Sequence, residues 1–547
     1  MAKVRTEPGP ARIIPMPTHC TTLSYAETGA FSGLLTDYID QNPALAPFYH
    51  RFPALENFAA QIEEKKAAYT PEARKRLVAA LRDQYGLAPD PEPAIEANLL
   101  LLSEPTTFTV TTGHQLSLLT GPLYFIYKIV TAIKLARDLK AAYPQYDFVP
   151  VYWMATEDHD FAEINHFSLF SKTYSWEAAN TGGPVGRLPL DGLAEVLNQL
   201  PPEVPAAFQK AYAESKTLAE ATRRLTDALF GEFGLVTLDA DRPTLKQALV
   251  PLLEQEIREQ VSNAAVQATN ARLTAAGYKP QVYSRPINLF FLTDEGKRER
   301  LEPDAGGADC VEVTIRNTAH CHSQEELLAL AWQHPEQFSP NVVLRPVYQE
   351  MLLPNLAYIG GAAEVAYWLQ LKDVFAAFGV PMPMVLPRNS AQSISRANAG
   401  KLNKLGLSTT DSFRPLPELK KQVGAALGQE EISLADQQHA LAAAFQQVQD
   451  VAQRLDPTLV RTVAAEAQKA AAGLAGLEKR LSKAAEMKNE TAYTQLTALK
   501  DKLFPGGGLQ ERTDNVLSIL INNPGFIKQL LDAFEPLALE FTVLAEE

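Results

Sequence analysis

Between Leu434 and Leu459 the apolar side chains keep heptad spacing: Leu434, Leu441, Phe445, Val448, Ala452, Leu455 and Leu459, with Gln, Asp and Arg between them. A stripe stepping by seven, then alternately by four and three, predicts a helix with a coiled-coil seam. Asp456-Pro457 pairs a favoured N-cap residue with the residue best tolerated at the first helical position, so a new helix is predicted there. Its seam runs through Val463, Ala467, Ala470, Leu474, Leu477 and Leu481, resumes at Leu496, Leu499 and Leu503, and is stopped by Phe504-Pro505-Gly506-Gly507-Gly508. The expectation is an antiparallel helical hairpin whose second arm extends about 70 Å at 1.5 Å per residue. Small seam residues such as Ala467 and Ala470 favour close approach of the arms. The first arm is shorter, so either the stretch from Pro417 to Leu427 covers the remainder or the chain dimerises there. A terminal helical segment, Phe526 to Leu544, is expected to pack back on the main domain.

Before this region the pattern changes. Thr107-Phe-Thr-Val-Thr-Thr112 is short and β-branched, a buried strand, and it runs into Gly113-His114-Gln115. Thr120-Gly121-Pro122 then opens a helix from Leu123 to Lys140, and Phe148 to Met154 reads as a second strand ending at Thr156-Glu157-Asp158-His159-Asp160. Strand, helix, strand over this length is a βαβ unit, parallel and right-handed. A second unit runs from the strand Leu356 to Ile359 through Gly360-Gly361, then a helix carrying Glu364, Tyr367, Trp368 and Lys372, to the strand Met382 to Leu386 before Arg388-Asn389-Ser390. Leu235 to Leu238, followed by Asp239-Ala240-Asp241, and Asn288 to Leu292, followed by a charged turn, read as further strands. No repeat of 20 to 50 residues appears.

Composition sharpens the division. Of 38 prolines, 32 lie at or before Pro387, and between Leu419 and Phe504 Pro457 stands alone; all four tryptophans precede position 390. The first part therefore reads as a mixed domain of short elements and the second as long helices. The boundaries expected are an α/β core over 1–388 with inserted subdomains, a helical coiled-coil domain over 389–515, and a helical segment over 516–547 packing back on the core. With 547 residues the chain exceeds what one core usually serves. Its 46% hydrophobic content rules out disorder as the dominant state. A net charge of −14 argues against nucleic acid or an anionic membrane surface as partner. No run of about 18 apolar residues occurs to span a membrane. Three cysteines, Cys20, Cys310 and Cys321, make no disulfide framework, so a reducing, cytoplasmic setting is expected.

The candidate chemistry lies at strand ends. In an open parallel sheet, ligands bind outside the carboxyl ends of the strands. There stand Thr112, Gly113, His114 and Gln115; then Glu157, Asp158, His159 and Asp160, with Asn165 and His166 a turn beyond; then Gly360, Gly361 and Glu364. The glycines permit close backbone approach, and helix N-termini at Gly121 and Gly361 offer partial positive charge to a phosphate or carboxylate. Four adjacent ionisable groups from Glu157 to Asp160 need cations, a metal or hydrogen bonds to hold them; the plainer reading is a solvated acidic loop that caps the next helix. Tyr124 and Lys128, four apart on one helical face, either reach a ligand or pair on the surface. There is no G-x-x-x-x-G-K-[ST], G-x-G-x-x-G, G-x-S-x-G or H-E-x-x-H, so P-loop, classical dinucleotide, serine-hydrolase and zincin classes lose weight. His320-Cys321-His322 with Cys310 matches no standard zinc spacing.

The segments TTGHQLSLLTGPLYFIYKIVTAIKLARDL, FVPVYWMATEDHDFAEINH, SPNVVLRPVYQEMLLPNLAYIGGAAEVAYWLQLK and VPMPMVLPRNS resemble the bacillithiol biosynthesis cysteine-adding (BshC) family, and the likeness spans nearly the whole chain. The resemblance implies a Rossmann-like core similar to nucleotidyl transferases and class I aminoacyl-tRNA synthetases, a coiled-coil domain and a homodimer. It implies a ligase that adds L-cysteine to glucosaminyl malate. Joining a carboxylate to an amine requires activation, most economically by ATP with Mg²⁺ through an acyl adenylate, with no tightly bound metal and no protein cysteine as nucleophile. In that frame His114, Gln115, Asp158, His159, Asp160 and His166 are the catalytic candidates, His159 or His166 as general base. Thr112, Gly113, Gly121, Tyr124, Lys128, Gly360 and Gly361 are candidates for holding the nucleotide. Glu157, Asn165, Glu364, Tyr367, Arg388 and Asn389 are candidates for substrate.

Two other classes stay open on the residues alone. One is a metal-dependent hydrolase with His114, Asp158, His159, Asp160 and His166 as ligands. The other is a non-enzymatic scaffold that recruits partners through its coiled coil.

Overall fold

The computed structural model describes residues 18–86, 92–303, 312–318, 320–427 and 433–547. Cys310, raised above as a zinc candidate, lies outside them. The chain divides into two compact units, one of residues 1–392 with 508–542 and one of residues 393–507 with 543–547.

The first unit is built on five parallel strands: β1 (Thr107–His114), β2 (Asp147–Met154), β3 (Val236–Asp239), β4 (Asn355–Gly360) and β5 (Met384–Pro387). Their spatial order is β3-β2-β1-β4-β5, the doubly wound order of a Rossmann-like sheet. The strand order reverses between β1 and β4, so the switch-point crevice opens where Gly113-His114 and Gly360-Gly361 emerge.

Alternation along the strands decides what covers each face. Phe108 and Val110 of β1, Phe148 of β2 and Ile359 of β4 pack on Ala132, Leu135, Ala136 and Leu139 of helix α1 (Tyr124–Ala142). Val149, Val151 and Trp153 of β2 join Val236, Leu238 and Tyr358 in a larger core with Leu77, Leu81 and Ile95. The four threonines of β1 are fully buried, and three of their hydroxyls are satisfied internally: Thr109 and Thr111 donate to Asn355 Oδ1 at 3.3 and 2.8 Å, and Thr112 donates to the Ile359 carbonyl at 2.9 Å. Asn355 in turn donates to Glu350 Oε1 at 2.7 Å, and Glu350 pairs with the buried Lys65 at 2.8 Å.

The run Asn288 to Leu292 does form a strand, Leu289–Leu292, but in a separate antiparallel sheet with Arg298–Pro303, Glu312–Ile315, Cys321–Ser323 and Phe338–Pro340. A hairpin of His166–Leu169 and Lys172–Ser175 follows the acidic loop.

Helix α2 (Ala362–Trp368) follows β4 in the first unit, and the second unit holds α3 (Ala435–Leu455), α4 (Val460–Lys488) and α5 (Glu490–Leu503). α3 and α4 pair as the antiparallel hairpin expected, and Glu478 of α4 accepts from the Leu434 amide at 3.2 Å and from Gln438 Nε2 at 3.0 Å. The second arm is not one 70 Å rod, because it breaks at Asn489, whose φ of −110° and ψ of 17° lie outside the helical region.

The C-terminal segment needs a correction. Residues 516–547 are not helical throughout: helix α6 covers only Phe526–Ala533, and Phe541–Glu546 is a strand. Pro536 has no N–H for continued α-helix, and the run Phe-Thr-Val-Leu suits extended backbone. α6 packs on α1, where the rings of Phe534 and Tyr127 meet edge-on at 5.5 Å.

Candidate functional site

At the end of β1 the chain passes close to β4, and a side chain at Gly113 would be crowded by its neighbours. A Cβ on Gly113 would lie 3.0 Å from the Tyr358 hydroxyl and 3.5 Å from an Arg345 guanidinium nitrogen. The Gly113 carbonyl accepts a hydrogen bond from Lys128 Nζ at 2.9 Å. Lys128 is also ion-paired with Glu364, which accepts from the Tyr358 hydroxyl at 2.7 Å and from the Gly361 amide at 2.8 Å. Burial pulls the Lys128 ammonium below its ordinary pKa, while Glu364 pulls it back up. Burial would raise Glu364, but Lys128 and the two hydrogen bonds outweigh it and hold the carboxylate below its usual range.

The next residues carry the network to β2. Gln115 Nε2 donates to Asp158 Oδ2 and to Glu163 Oε2, both at 2.8 Å. Asp158 Oδ1 accepts from the His159 amide at 2.7 Å. Burial works against the Asp158 carboxylate, yet the Gln115 hydrogen bond, the Arg298 charge and the His159 amide prevail and lower its pKa. A continuous rim of contacts thus runs Gly361, Glu364, Lys128, Gly113, His114, Gln115, Asp158 along the carboxyl ends of β4, β1 and β2.

Two buried nitrogens on this rim have no hydrogen-bond partner among the described residues: His114 Nε2 and Arg388 Nε. They flank Tyr124, whose ring lies 5.3 Å from that of His114 and 5.7 Å from the Arg388 guanidinium. The other end of the Arg388 fork is held by Glu511, through bonds of 2.9 and 2.6 Å. His114 Nδ1 accepts from the Gln115 amide at 2.8 Å, so the ring proton sits on Nε2. Burial, with Lys128 and Arg388 nearby, drives the His114 pKa well below 6.5 and keeps the ring neutral. Orphaned buried donors beside cationic side chains fit an anionic oxygen, such as that of a phosphate or carboxylate.

Beneath the acidic loop lies a second set of charges. Glu157 is ion-paired with the fully buried Lys246, which also donates to the Phe338 carbonyl at 2.7 Å. Asp241 grips Arg187 with bonds of 2.7 and 2.8 Å, and Asp239 Oδ1 accepts from the Thr156 hydroxyl at 2.6 Å. Burial and the neighbouring Asp241 push Asp239 up to about 6. The run Glu157 to Asp160 is therefore an anchored loop, its charges met by Lys246, Arg298 and Gln115.

Other expected residues take structural posts. The Gly121 amide is spent on the Leu118 carbonyl at 2.9 Å and its carbonyl accepts from Asn515 at 2.7 Å, so its φ of +62° serves a turn and not a phosphate. The Gly361 amide is likewise taken by Glu364, and the Gly360 carbonyl accepts from the Arg388 amide at 2.8 Å. Thr112 is buried in the β1–β4 ladder. Asp160 caps the short helix Phe161–Ile164. Asn165 donates to the Trp176 carbonyl at 3.2 Å and shares a 3.1 Å bond with His166. Asn389 is turned to Thr131 and the Glu535 carbonyl. Tyr367 lies beside the Arg345 guanidinium.

Arg298, Arg345, Lys246, Tyr358 and Glu511 belong to the site region and are not picked out by the sequence reading. Arg298 sits in the charged run after Leu292, and Glu511 follows the glycines that end α5. Only Asp239-Ala240-Asp241, already at a strand end, carried a readable signal.

The hydrolase alternative gains no support from this geometry. His114 Nδ1 is turned to the Gln115 amide and His159 Nδ1 to Arg298 at 3.0 Å, and among the described residues no three or more His, Cys, Asp or Glu side chains are grouped to hold a metal ion.

Residues 16–389 match the family described as Bacillithiol biosynthesis BshC, N-terminal Rossmann-like domain, and residues 391–546 match Bacillithiol biosynthesis BshC, C-terminal coiled-coil domain. A protein of Christiangramia forsetii named "Putative cysteine ligase BshC" is 40% identical over 97% of this chain and 99% of its own length. A protein of the same name from Flavobacterium johnsoniae is 40% identical over 97% of this chain and 100% of its own. A solved methionyl-tRNA synthetase of Mycobacterium tuberculosis aligns over 80% of this chain and 97% of its own at 11% identity with a TM-score of 0.24, too remote to carry an argument. With both halves matched and relatives this similar along their full length, the chain belongs to the bacillithiol biosynthesis BshC family.

Proposed function

We propose that this protein is a ligase that forms the amide bond between the carboxyl group of L-cysteine and the amine of glucosaminyl malate, with ATP and Mg²⁺ as the activating co-substrate. The observation that carries the reading is the single rim from Gly361 to Asp158 at the switch point, in a chain that is similar end to end to proteins named cysteine ligases. ATP would supply the leaving group that makes the cysteine carboxylate reactive. The orphaned N–H groups of His114 and Arg388, beside Tyr124, fit the oxygens of such a group and favour negative charge as it develops there. Asp158, held ionised by Gln115 and Arg298, suits an ammonium group or a sugar hydroxyl. When the amine attacks the carbonyl carbon, one C–N bond forms, the bond to the activating group breaks, and the amine proton passes to a base.

The same reading places the protein in the cytoplasm, where Cys20 and Cys321 remain thiols. It also includes a second copy of the chain. Val448 and Leu455 of α3 are 50% and 80% exposed, and such an apolar seam is covered by another helix.

Incubating the purified chain with L-cysteine, glucosaminyl malate and ATP-Mg²⁺ tests the reading by mass spectrometry. The expected product is heavier than glucosaminyl malate by one cysteine residue, and its formation requires ATP. Consumption of cysteine with no such adduct would contradict it.

A further inference from the structure

The side chain of His159 is 39% exposed above Phe290, its ring 5.5 Å from the phenyl ring. Its Nδ1 lies 3.0 Å from a terminal guanidinium nitrogen of Arg298. A guanidinium has only donors and does not lose its proton in proteins, so the imidazole nitrogen facing it is the acceptor. Arg298 cannot turn away, because its Nε donates to Ser339 Oγ at 3.0 Å, its other terminal nitrogen donates to the Pro340 carbonyl at 2.9 Å, and its plane lies 3.8 Å from the centre of the Phe290 ring. Three residues of the antiparallel sheet, Ser339, Pro340 and Phe290, thus hold Arg298 so that it aims a single N–H at His159.

The carboxylates nearby do not reverse this. Asp158 Oδ1 is 3.6 Å from the same Nδ1, beyond hydrogen-bond range, and is occupied by the His159 amide at 2.7 Å. Asp160 is turned to the Glu163 amide at 3.2 Å. Burial and the charges of Arg298 and Arg300 lower the His159 pKa against the pull of Asp158 and Asp160, so the ring is neutral at pH 7. With Nδ1 accepting, the single ring proton is on Nε2, the nitrogen with no protein partner among the described residues.

We propose that Arg298 is a positioning residue that locks His159 as its Nε2–H tautomer, so that His159 meets substrate as a hydrogen-bond donor to an oxygen and is not the base that takes the amine proton. The part of this that concerns substrate rests on the cysteine-adding reading; the tautomer does not. His114 holds the same tautomer through the Gln115 amide. His166 is the reverse case: Asn165 Nδ2 donates to the Trp176 carbonyl, which turns Asn165 Oδ1 toward His166 Nδ1 at 3.1 Å and makes that nitrogen the donor. Of the three imidazoles, His166 alone keeps an Nε2 lone pair for a proton.

The test combines two readouts on the full-length protein. With ¹⁵N-labelled histidine and His159→Ala for assignment, long-range ¹H–¹⁵N spectra at pH 7 are expected to show His159 with bare Nδ1 and protonated Nε2. Arg298→Met is expected to mix the tautomers, while Arg298→Lys, which keeps a donor and guards against a folding defect, retains the lock at least in part. A protonated Nδ1 in the wild type, or spectra unchanged in Arg298→Met, would overturn the proposal. In the cysteine-adding assay His159→Gln, which can donate but cannot accept a proton at neutral pH, is expected to retain activity well above His159→Ala, and Arg298→Met to lose roughly 10²-fold in kcat. Arg298→Met should add nothing to His159→Ala; a full additional loss, or equal loss in the Gln and Ala variants, would overturn the positioning role. If the wild type adds no cysteine at all, the functional reading fails and the spectra still decide the tautomer.

Discussion

Lys128 and Glu364 form an ion pair that joins β1 to β4 across the switch point, with Lys128 bound to the Gly113 carbonyl and Glu364 to the Gly361 amide. The pair fixes the two glycine corners where the crevice opens. Removing one partner of a buried pair leaves the other charge uncompensated. Lys128→Met is therefore expected to destabilise the chain by about 3 kcal/mol, and the double variant Lys128→Met with Glu364→Met to recover part of that loss. Urea midpoints of the three proteins check this, and a single variant as stable as the parent would contradict it.

Asp158 ties the β2 end to Gln115 and stays ionised at neutral pH. Asp158→Asn keeps the size of the side chain and removes its charge. We expect a loss of roughly 10²-fold or more in kcat/KM for cysteine addition with little change in melting temperature. Wild-type rates in the variant would remove Asp158 from the site.

Asp239 gives the fold a pH dependence whose sign follows from its raised pKa. Its carboxyl titrates near 6 in the folded protein against 3.8 for the free side chain, so folding favours the protonated form. The stability it contributes is present in full below about pH 3.8 and is lost as pH rises through 6, by up to roughly 3 kcal/mol. Asp239→Asn cannot ionise and should lack that component. Denaturation midpoints of both proteins between pH 4.5 and 7.5 check it; parallel curves would refute the assignment.

The exposed seam of α3 predicts self-association. Val448→Glu combined with Leu455→Glu should halve the mass seen by light scattering while leaving helix content unchanged. A mass that does not respond would rule out this seam as the contact between copies.

The architecture was largely legible because its signals are local. A β-branched run ahead of Gly113 announced β1, a short apolar run ahead of Gly360-Gly361 announced β4, and heptad spacing announced the α3–α4 hairpin. The polar tips of three strands meet because parallel strands must carry their carboxyl ends to one side. The partners of those tips were not legible, since Arg298, Lys246 and Glu511 reach Asp158, Glu157 and Arg388 only through tertiary contacts, and a charged run in sequence does not reveal which face it turns inward. Local rules also misled where two applied at once. Gly121 beside Pro122 has the look of a phosphate-binding helix start, but its positive φ and the Asn515 side chain make it a turn. Apolar residues up to Leu544 continued a helical spacing that Pro536 interrupts.

The most direct test of the central claim is the thiol content of cells of the source organism that lack this gene. The account predicts that bacillithiol disappears and glucosaminyl malate accumulates, with rescue by the wild-type gene and not by Asp158→Asn. Bacillithiol at its normal level in the deletion strain would contradict it.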